Sequence, residues 1–166
     1  NDMPQIGLKW PNDVMMSGGK IAGILLESEG QALIVGSGIN IAPVREKSFR
    51  ASNYQAPPNA LIVPMALADV WPQTAEELPS PHQLARSYMT HLANWYGKFE
   101  SDGFADIRNA WLSNALFLGK TLSVQRGRSK ISGVFLDLSW DGALILLDDS
   151  GETHHISTGD VKLVDR

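Results

Sequence analysis

Lys20 follows two glycines and opens an apolar run, Ile21-Ala22-Gly23-Ile24-Leu25-Leu26. An ammonium so placed can be held at a strand end while its stem packs on the strand, which is how a protein presents a fixed cation to an anionic ligand. Where negative charge gathers during a reaction, preorganised charge of this kind is worth on the order of 3–4 kcal/mol per group. Asn12 and Asn40 each offer an amide donor and acceptor, the equipment for reading a nucleobase edge. Asp13 carries a carboxylate that can take a proton from an attacking amine, or hold Mg²⁺ together with substrate phosphates. Both roles stay open. Gly23, Gly36 and Gly38 interrupt apolar strands, which costs stability. Bare backbone there admits a flat ligand, with Ile24 and Leu25 as walls. Each residue also has an ordinary alternative. A strand-end lysine sits in water, Asn and Asp serve a Pro-Asn-Asp turn, and glycines mark bulges or close strand packing.

The elements that must position these groups are legible in outline. Ile6 to Trp10 reads as a short strand stopped by Pro11-Asn12-Asp13, and Val14-Met15-Met16 resumes it. Ser17-Gly18-Gly19 has tight-turn composition. Lys20 to Glu27 and Ala32 to Asn40 follow as strands around Glu29-Gly30, so an antiparallel meander is predicted. Residues 43 to 60 read as a loop. Ala66 to Trp71 reads as a short helix closed by Pro72. Ser80-Pro81 opens a helix of about five turns, whose stripe Leu84, Tyr88, Leu92, Trp95, Tyr96 and Phe99 is predicted to be core. Asp102-Gly103 ends it, and Phe104 to Leu112 forms a second helix. From Leu116 the period falls to two, and five short strands follow to Val164, the pattern of a small barrel.

Composition narrows the class. At 43% hydrophobic and 19% charged the chain reads as globular, and a net charge of -4 speaks against a broad nucleic-acid face. Arg126, Arg128 and Lys130 form a local basic trio that a solvated turn explains. The chain has no cysteine, so disulfides and thiolate metal sites are excluded, and no run reaches membrane-span length. His82, His91, His154 and His155 show no zinc-ligand spacing, and His154 and His155 point to opposite faces of a strand. A cytoplasmic location without membrane or DNA binding is the expectation. The opening Asn1-Asp2-Met3-Pro4 reads as the entry of a piece of a longer polypeptide.

The segments Gly7-Leu8-Lys9-Trp10-Pro11-Asn12-Asp13 and Gly19-Lys20-Ile21-Ala22-Gly23-Ile24-Leu25 resemble the signature of the biotin protein ligase catalytic domain. Gly36-Ser37-Gly38-Ile39-Asn40 resembles that family's next block. Gly133-Val134-Phe135, Asp141-Gly142-Ala143-Leu144 and Gly159-Asp160-Val161 resemble its terminal barrel. The likeness covers nearly the whole chain, in order. It implies an α+β fold: part of a class II aminoacyl-tRNA-synthetase-like mixed sheet with helices over residues 1–114, then an SH3-like β-barrel over 115–166. It implies ATP-dependent activation of biotin to biotinyl-AMP and transfer to a lysine of a biotin carboxyl carrier domain, with ATP and Mg²⁺ as cofactors and homodimers as a further expectation. By the same likeness Lys20 and Asp13 are catalytic, with Asp13 also a candidate Mg²⁺ ligand. Asn12, Asn40 and Lys20 bind the adenylate, while Lys20, Gly23, Ile24, Leu25, Gly36 and Ser37 bind biotin. Lys9 and Trp10 support the loop.

The likeness also has gaps. The family's glycine- and arginine-rich loop has no counterpart, since Arg126-Gly127-Arg128 echoes it only superficially and lies in the barrel region. The terminal run Lys162-Leu163-Val164-Asp165-Arg166 departs from the family's usual pattern, which puts a nucleotide contact from the barrel in doubt. The chain alone is therefore expected to be inactive and to expose apolar sheet surface of well over about 400 Å². A lipoate or octanoate ligase, and a non-catalytic carrier-binding or self-association module, are the competing readings. A repressor role would need a DNA-binding segment outside these residues.

Overall fold

The computed structural model describes residues 5–42, 63–71, 77–127 and 129–164. The predicted 43–60 loop and Pro72 lie outside the described residues. Ten strands and three helices are present among them. They group into two compact units, one holding residues 12–81 with the first seven, the other holding residues 82–166 with Leu8–Pro11. The expected 114/115 boundary follows the resemblance, whereas in the structure the helices after residue 81 cluster with the C-terminal sheet.

The strands β1 (Ile6–Lys9), of which Ile6 and Gly7 belong to the first unit, β2 (Asp13–Met16), β3 (Gly19–Glu29) and β4 (Ala32–Ile39) lie side by side in that order, and the two-residue β5 (Val63–Pro64) runs parallel to β3. The predicted meander is present in β2, β3 and β4, which pair antiparallel. The turn from β2 to β3 uses positive φ at Ser17 (49°) and Gly18 (81°), a backbone state glycine adopts without steric cost. The short helix α1 (Leu67–Val70) follows β5, with Leu67 buried. Along the distal β3–β4 ribbon the face carrying Leu26, Leu33, Val35 and Ile39 is exposed, at 36–62% per residue. This is the exposed apolar sheet surface the sequence anticipates.

In the second unit α2 (Pro81–Asp102) and α3 (Ala105–Ser113) precede β6 (Thr121–Arg126), β7 (Ser129–Leu138), β8 (Leu144–Leu147), β9 (Thr153–Ile156) and β10 (Asp160–Leu163). Gly103, at φ 75°, ends α2 as its position suggests. The five strands form one antiparallel sheet in the order β10-β6-β7-β8-β9. Its hydrogen-bonded path is open, so the expected closed barrel is corrected to an open sheet. Its core holds Leu122, Val124, Phe135, Leu138, Leu144, Leu146, Ile156 and Val161, joined by Trp10. Trp111 meets Phe135 edge-on, with centroids 6.4 Å apart.

The stripe of α2 corrects a second expectation. None of its residues is buried, and Trp95, Tyr96 and Phe99 stay 39%, 57% and 49% exposed. Helical periodicity reports that one face is apolar; whether anything covers that face is a tertiary matter. No helix among the described residues is long and apolar enough to cross a membrane.

Leu144 is fully enclosed in the C-terminal core. Leu144→Ala should cost about 2–5 kcal/mol in urea denaturation through lost burial and a residual cavity. Leu136→Ala, at a position 46% exposed, should stay within about 0.5 kcal/mol of the parent.

Candidate functional site

Asp13 and Lys20 form an ion pair through the Lys20 ammonium and the Asp13 carboxylate. The Asp13 side chain is 8% exposed and that of Lys20 35%. Strand register explains why they meet. Asp13 stands opposite Gly23 and Met15 opposite Lys20, while Val14 pairs with Ala22. One step along β2 thus matches two along β3, and Ile21 is the extra residue of a β-bulge. Residues three apart on a regular strand face opposite ways, so the bulge is what brings Lys20 to the face of Gly23 and Asp13.

The backbone of Lys20 is held as firmly. Its carbonyl accepts from the Met65 N–H at 2.9 Å and from the Asn40 side-chain amide at 3.2 Å. The Asn40 N–H donates to the Ile21 carbonyl at 2.8 Å, and the Leu67 N–H donates to the Asn40 carbonyl at 2.7 Å. Asn12 clamps the next stretch of β3: its carbonyl accepts from the Ile24 N–H at 3.0 Å, and its side-chain amide donates to the Ile24 carbonyl at 2.7 Å. Both asparagines therefore spend an amide hydrogen on the strand that carries Lys20. That bracing role was not visible in the sequence, where an asparagine after a proline signals only a turn.

Register also divides the residues expected to line a flat ligand. Gly23 pairs with Gly38 and Leu25 with Gly36, which sets these four on the face of Lys20 and Asp13. Ile24 pairs with Ser37, and both side chains lie on the opposite face. Strand alternation turns the side chains of Ile24 and Ser37 away from Lys20. The Lys20 face presents an ion pair beside a row of bare backbone, and a Cβ at Gly38 would meet nothing within 4 Å.

Lys9 and Trp10 belong to the second unit. The Trp10 indole N–H donates to the Gly142 carbonyl at 3.2 Å, and the buried Lys9 ammonium lies 3.8 Å from the Asp160 carboxylate. The Leu8 N–H donates to the Asn114 carbonyl at 2.7 Å, and the Leu8 carbonyl accepts from the Leu116 N–H at 2.8 Å. Of the basic trio, Lys130 is exposed; Arg128 lies outside the described residues.

A second cluster lies on the β8–β9 hairpin, where ligating atoms of Asp148, Glu152 and His154 come within 4.8 Å of one another. The His spacing gave no hint of it. One Asp148 oxygen accepts from the Ser150 N–H (2.9 Å), the Ser150 hydroxyl (2.7 Å) and the Glu152 N–H (2.9 Å). The other lies 2.7 Å from His154 Nε2. These bonds account for the carboxylate as the organiser of its own turn.

The Lys20–Asp13 pair thus lies beside a row of bare strand backbone. Comparison with known proteins agrees on the family. Residues 117–164 match the family described as Biotin protein ligase C terminal domain. The chain is 35% identical over 153 residues to a biotin–[acetyl-CoA-carboxylase] ligase of Paracoccus denitrificans, covering 89% of this chain and 59% of that protein. A Mycobacterium tuberculosis protein of the same name is 29% identical over 158 residues, covering 95% of this chain and 53% of that one. Among solved structures, the Aquifex aeolicus biotin protein ligase in complex with biotin and ATP superposes with a TM-score of 0.72 at 24% identity, over 97% of this chain and 62% of that one. Residues 117–164 thus carry the C-terminal domain of the biotin protein ligases, and the chain as a whole is similar to proteins of that name. It spans 59% and 53% of the length of the two curated relatives.

Hydrogen bonds from His154, then Ser150 and Glu152, hold the Asp148 carboxyl well below the usual carboxylate range. A depressed folded-state value means that stability from this group is present above about pH 4, the unfolded value, and is lost as the pH falls further. Thermal melts from pH 7 down to 3 should therefore show Asp148→Asn less stable than the parent at neutral pH, with the gap closing in acid.

Proposed function

We propose that the protein containing this chain is an ATP-dependent biotin–protein ligase and that Lys20 is its electrostatic catalyst. The observation that carries the reading is the Lys20–Asp13 pair seated beside the Gly23–Gly38 row in a chain similar to proteins of this family. In the first step the biotin carboxylate attacks the α-phosphorus of ATP, biotinyl-AMP forms and pyrophosphate leaves. Two anions must approach each other there, and the Lys20 ammonium offsets their repulsion without reorganising at the moment of reaction. In the second step the amine of a carrier-domain lysine attacks the acyl carbon, AMP leaves, and a proton must be taken up. Asp13 is the carboxylate placed to orient or accept it.

Mg²⁺ binds through one or two carboxylates together with substrate phosphates, and Asp13, buried and bonded to an ammonium, has little of its carboxylate left for that role. No step here runs through the metal. Asn12 and Asn40 brace β3 through one amide hydrogen each, and each amide keeps a second hydrogen and an oxygen suited to the adenylate. Leu25, Gly36 and Gly38 form the strip on which the biotin rings would lie, with Gly23 at its Lys20 end. The division at 114/115, an SH3-like character for the C-terminal sheet and a synthetase-like parent sheet belong to this same reading. Lipoate or octanoate activation would use the same chemistry at Lys20; the C-terminal family match weighs toward biotin.

The test restores the polypeptide to the length of its relatives and follows capture of biotinyl-AMP from labelled ATP. Lys20→Ala should lower adenylate formation by roughly 10²–10³-fold while the thermal melt stays cooperative. Retention of full adenylate formation by a folded Lys20→Ala protein would overturn the reading. Substituting lipoate or octanoate for biotin should yield no adenylate.

A further inference from the structure

We infer that Gly23 is a positioning residue for Lys20: its missing side chain is the seat of the ammonium. The inference deepens the ligase reading and rests on it. A Cβ built at Gly23 would lie 3.0 Å from Lys20 Nζ, 3.1 Å from Lys20 Cε and 3.8 Å from an Asp13 carboxylate oxygen. A methyl group at residue 23 would thus press on the end of the lysine side chain, which would have to give by a few tenths of an ångström. The Ile21 bulge turns Lys20 onto this face, and the bare α-carbon of Gly23, directly opposite Asp13, lets the chain end fold down beside the carboxylate. Bulge, glycine and carboxylate act as one device: the first aims the lysine, the second makes room, the third holds the charge.

This assigns Gly23 differently from its neighbours in the glycine row. A Cβ at Gly36 would meet only Leu25, no nearer than 3.6 Å, and one at Gly38 would meet nothing within 4 Å. Those two positions are open toward a ligand, whereas Gly23 is bordered by the lysine end from within the protein. A side chain at residue 23 would push the ammonium off Asp13, because the far end of a lysine is the softest atom group in contact with it. The cation would then leave the point where a ligand's anionic group meets it, while the apolar strip beyond would be unchanged.

Ligand seat and lysine seat give opposite patterns in a double-mutant cycle. In the restored-length protein, Gly23→Ala should lower kcat for adenylate formation by roughly 10²-fold, with the KM for biotin changed less than about threefold. In a Lys20→Ala background the same change should have little further effect, since the group it displaces is gone. In the 166-residue chain, Gly23→Ala should lower the melting temperature, and Lys20→Ala/Gly23→Ala should recover part of that loss. Should Gly23→Ala fail to fold, recovery of folding in the double variant supports the seat, and its absence overturns it. Additive losses across the cycle, or a rise confined to biotin KM, would also overturn it and return Gly23 to the ligand strip. Those outcomes are distinct from failure of the ligase reading, in which Lys20→Ala alone leaves adenylate formation intact.

Discussion

The Lys20–Asp13 ion pair sets the terms for the whole first unit. A carboxylate as enclosed as Asp13 is costly to leave without a partner, and its partner is a flexible lysine that would otherwise extend into water. Holding the two together requires correct facing, which the Ile21 bulge supplies, and a strand that cannot slide. A one-residue slip of β3 would turn every side chain to the wrong face. The bonds from Met65 and Asn40 to the Lys20 carbonyl, and the two between Asn12 and Ile24, restrain that slip at both ends of the site. The segment flanking Lys20 is therefore densely hydrogen-bonded, whereas the ribbon beyond Leu25 is exposed.

The segment from Lys9 to Asp13 serves two purposes within five residues. Lys9 and Trp10 are buried in the second unit, where the indole completes an aliphatic core and donates to Gly142. Asn12 and Asp13 belong to the first unit and its ion pair. A motif so short carries a fold constraint and a chemical one in consecutive residues. A hydrophobic anchor before a turn and a carboxylate after it keep this loop from adopting the many conformations open to an unanchored Pro-Asn-Asp segment.

What could be read from residues alone follows from how local each cause is. Turns at Ser17-Gly18 and Gly103, the helix start at Ser80-Pro81 and the alternating strands after Leu116 are set by neighbours in sequence, and all appear where expected. Family likeness singled out Asp13 and Lys20 separately; their pairing is a finding of the structure. Its mechanism was hidden, because a bulge is a mismatch between two strands and neither strand shows it alone. For the same reason Ile24 and Ser37 were grouped with residues on the other face. The aromatic stripe of α2 was legible as a stripe; its exposure was not, since amphipathicity says nothing of what lies opposite. Sheet closure likewise depends on whether the first and last strands pair, which five short strands and their turns leave undetermined.

The two faces of the β3–β4 ribbon show how one short sequence meets two demands. On the Lys20 face, Gly23, Gly36 and Gly38 give up side-chain packing and with it strand stability. On the other, Ile24, Leu26, Leu33, Val35 and Ile39 supply β-branched and aliphatic side chains that favour the extended state. Strand period makes this division possible, since alternate residues answer to different surroundings. It also constrains change: a larger residue on the glycine face meets either the ammonium or a ligand, while a polar one on the other face removes the propensity that offsets the glycines. From Val35 to Ile39 the strand thus alternates Gly36 and Gly38 with Val35, Ser37 and Ile39, so bare backbone on one face coexists with side chains that hold the register on the other.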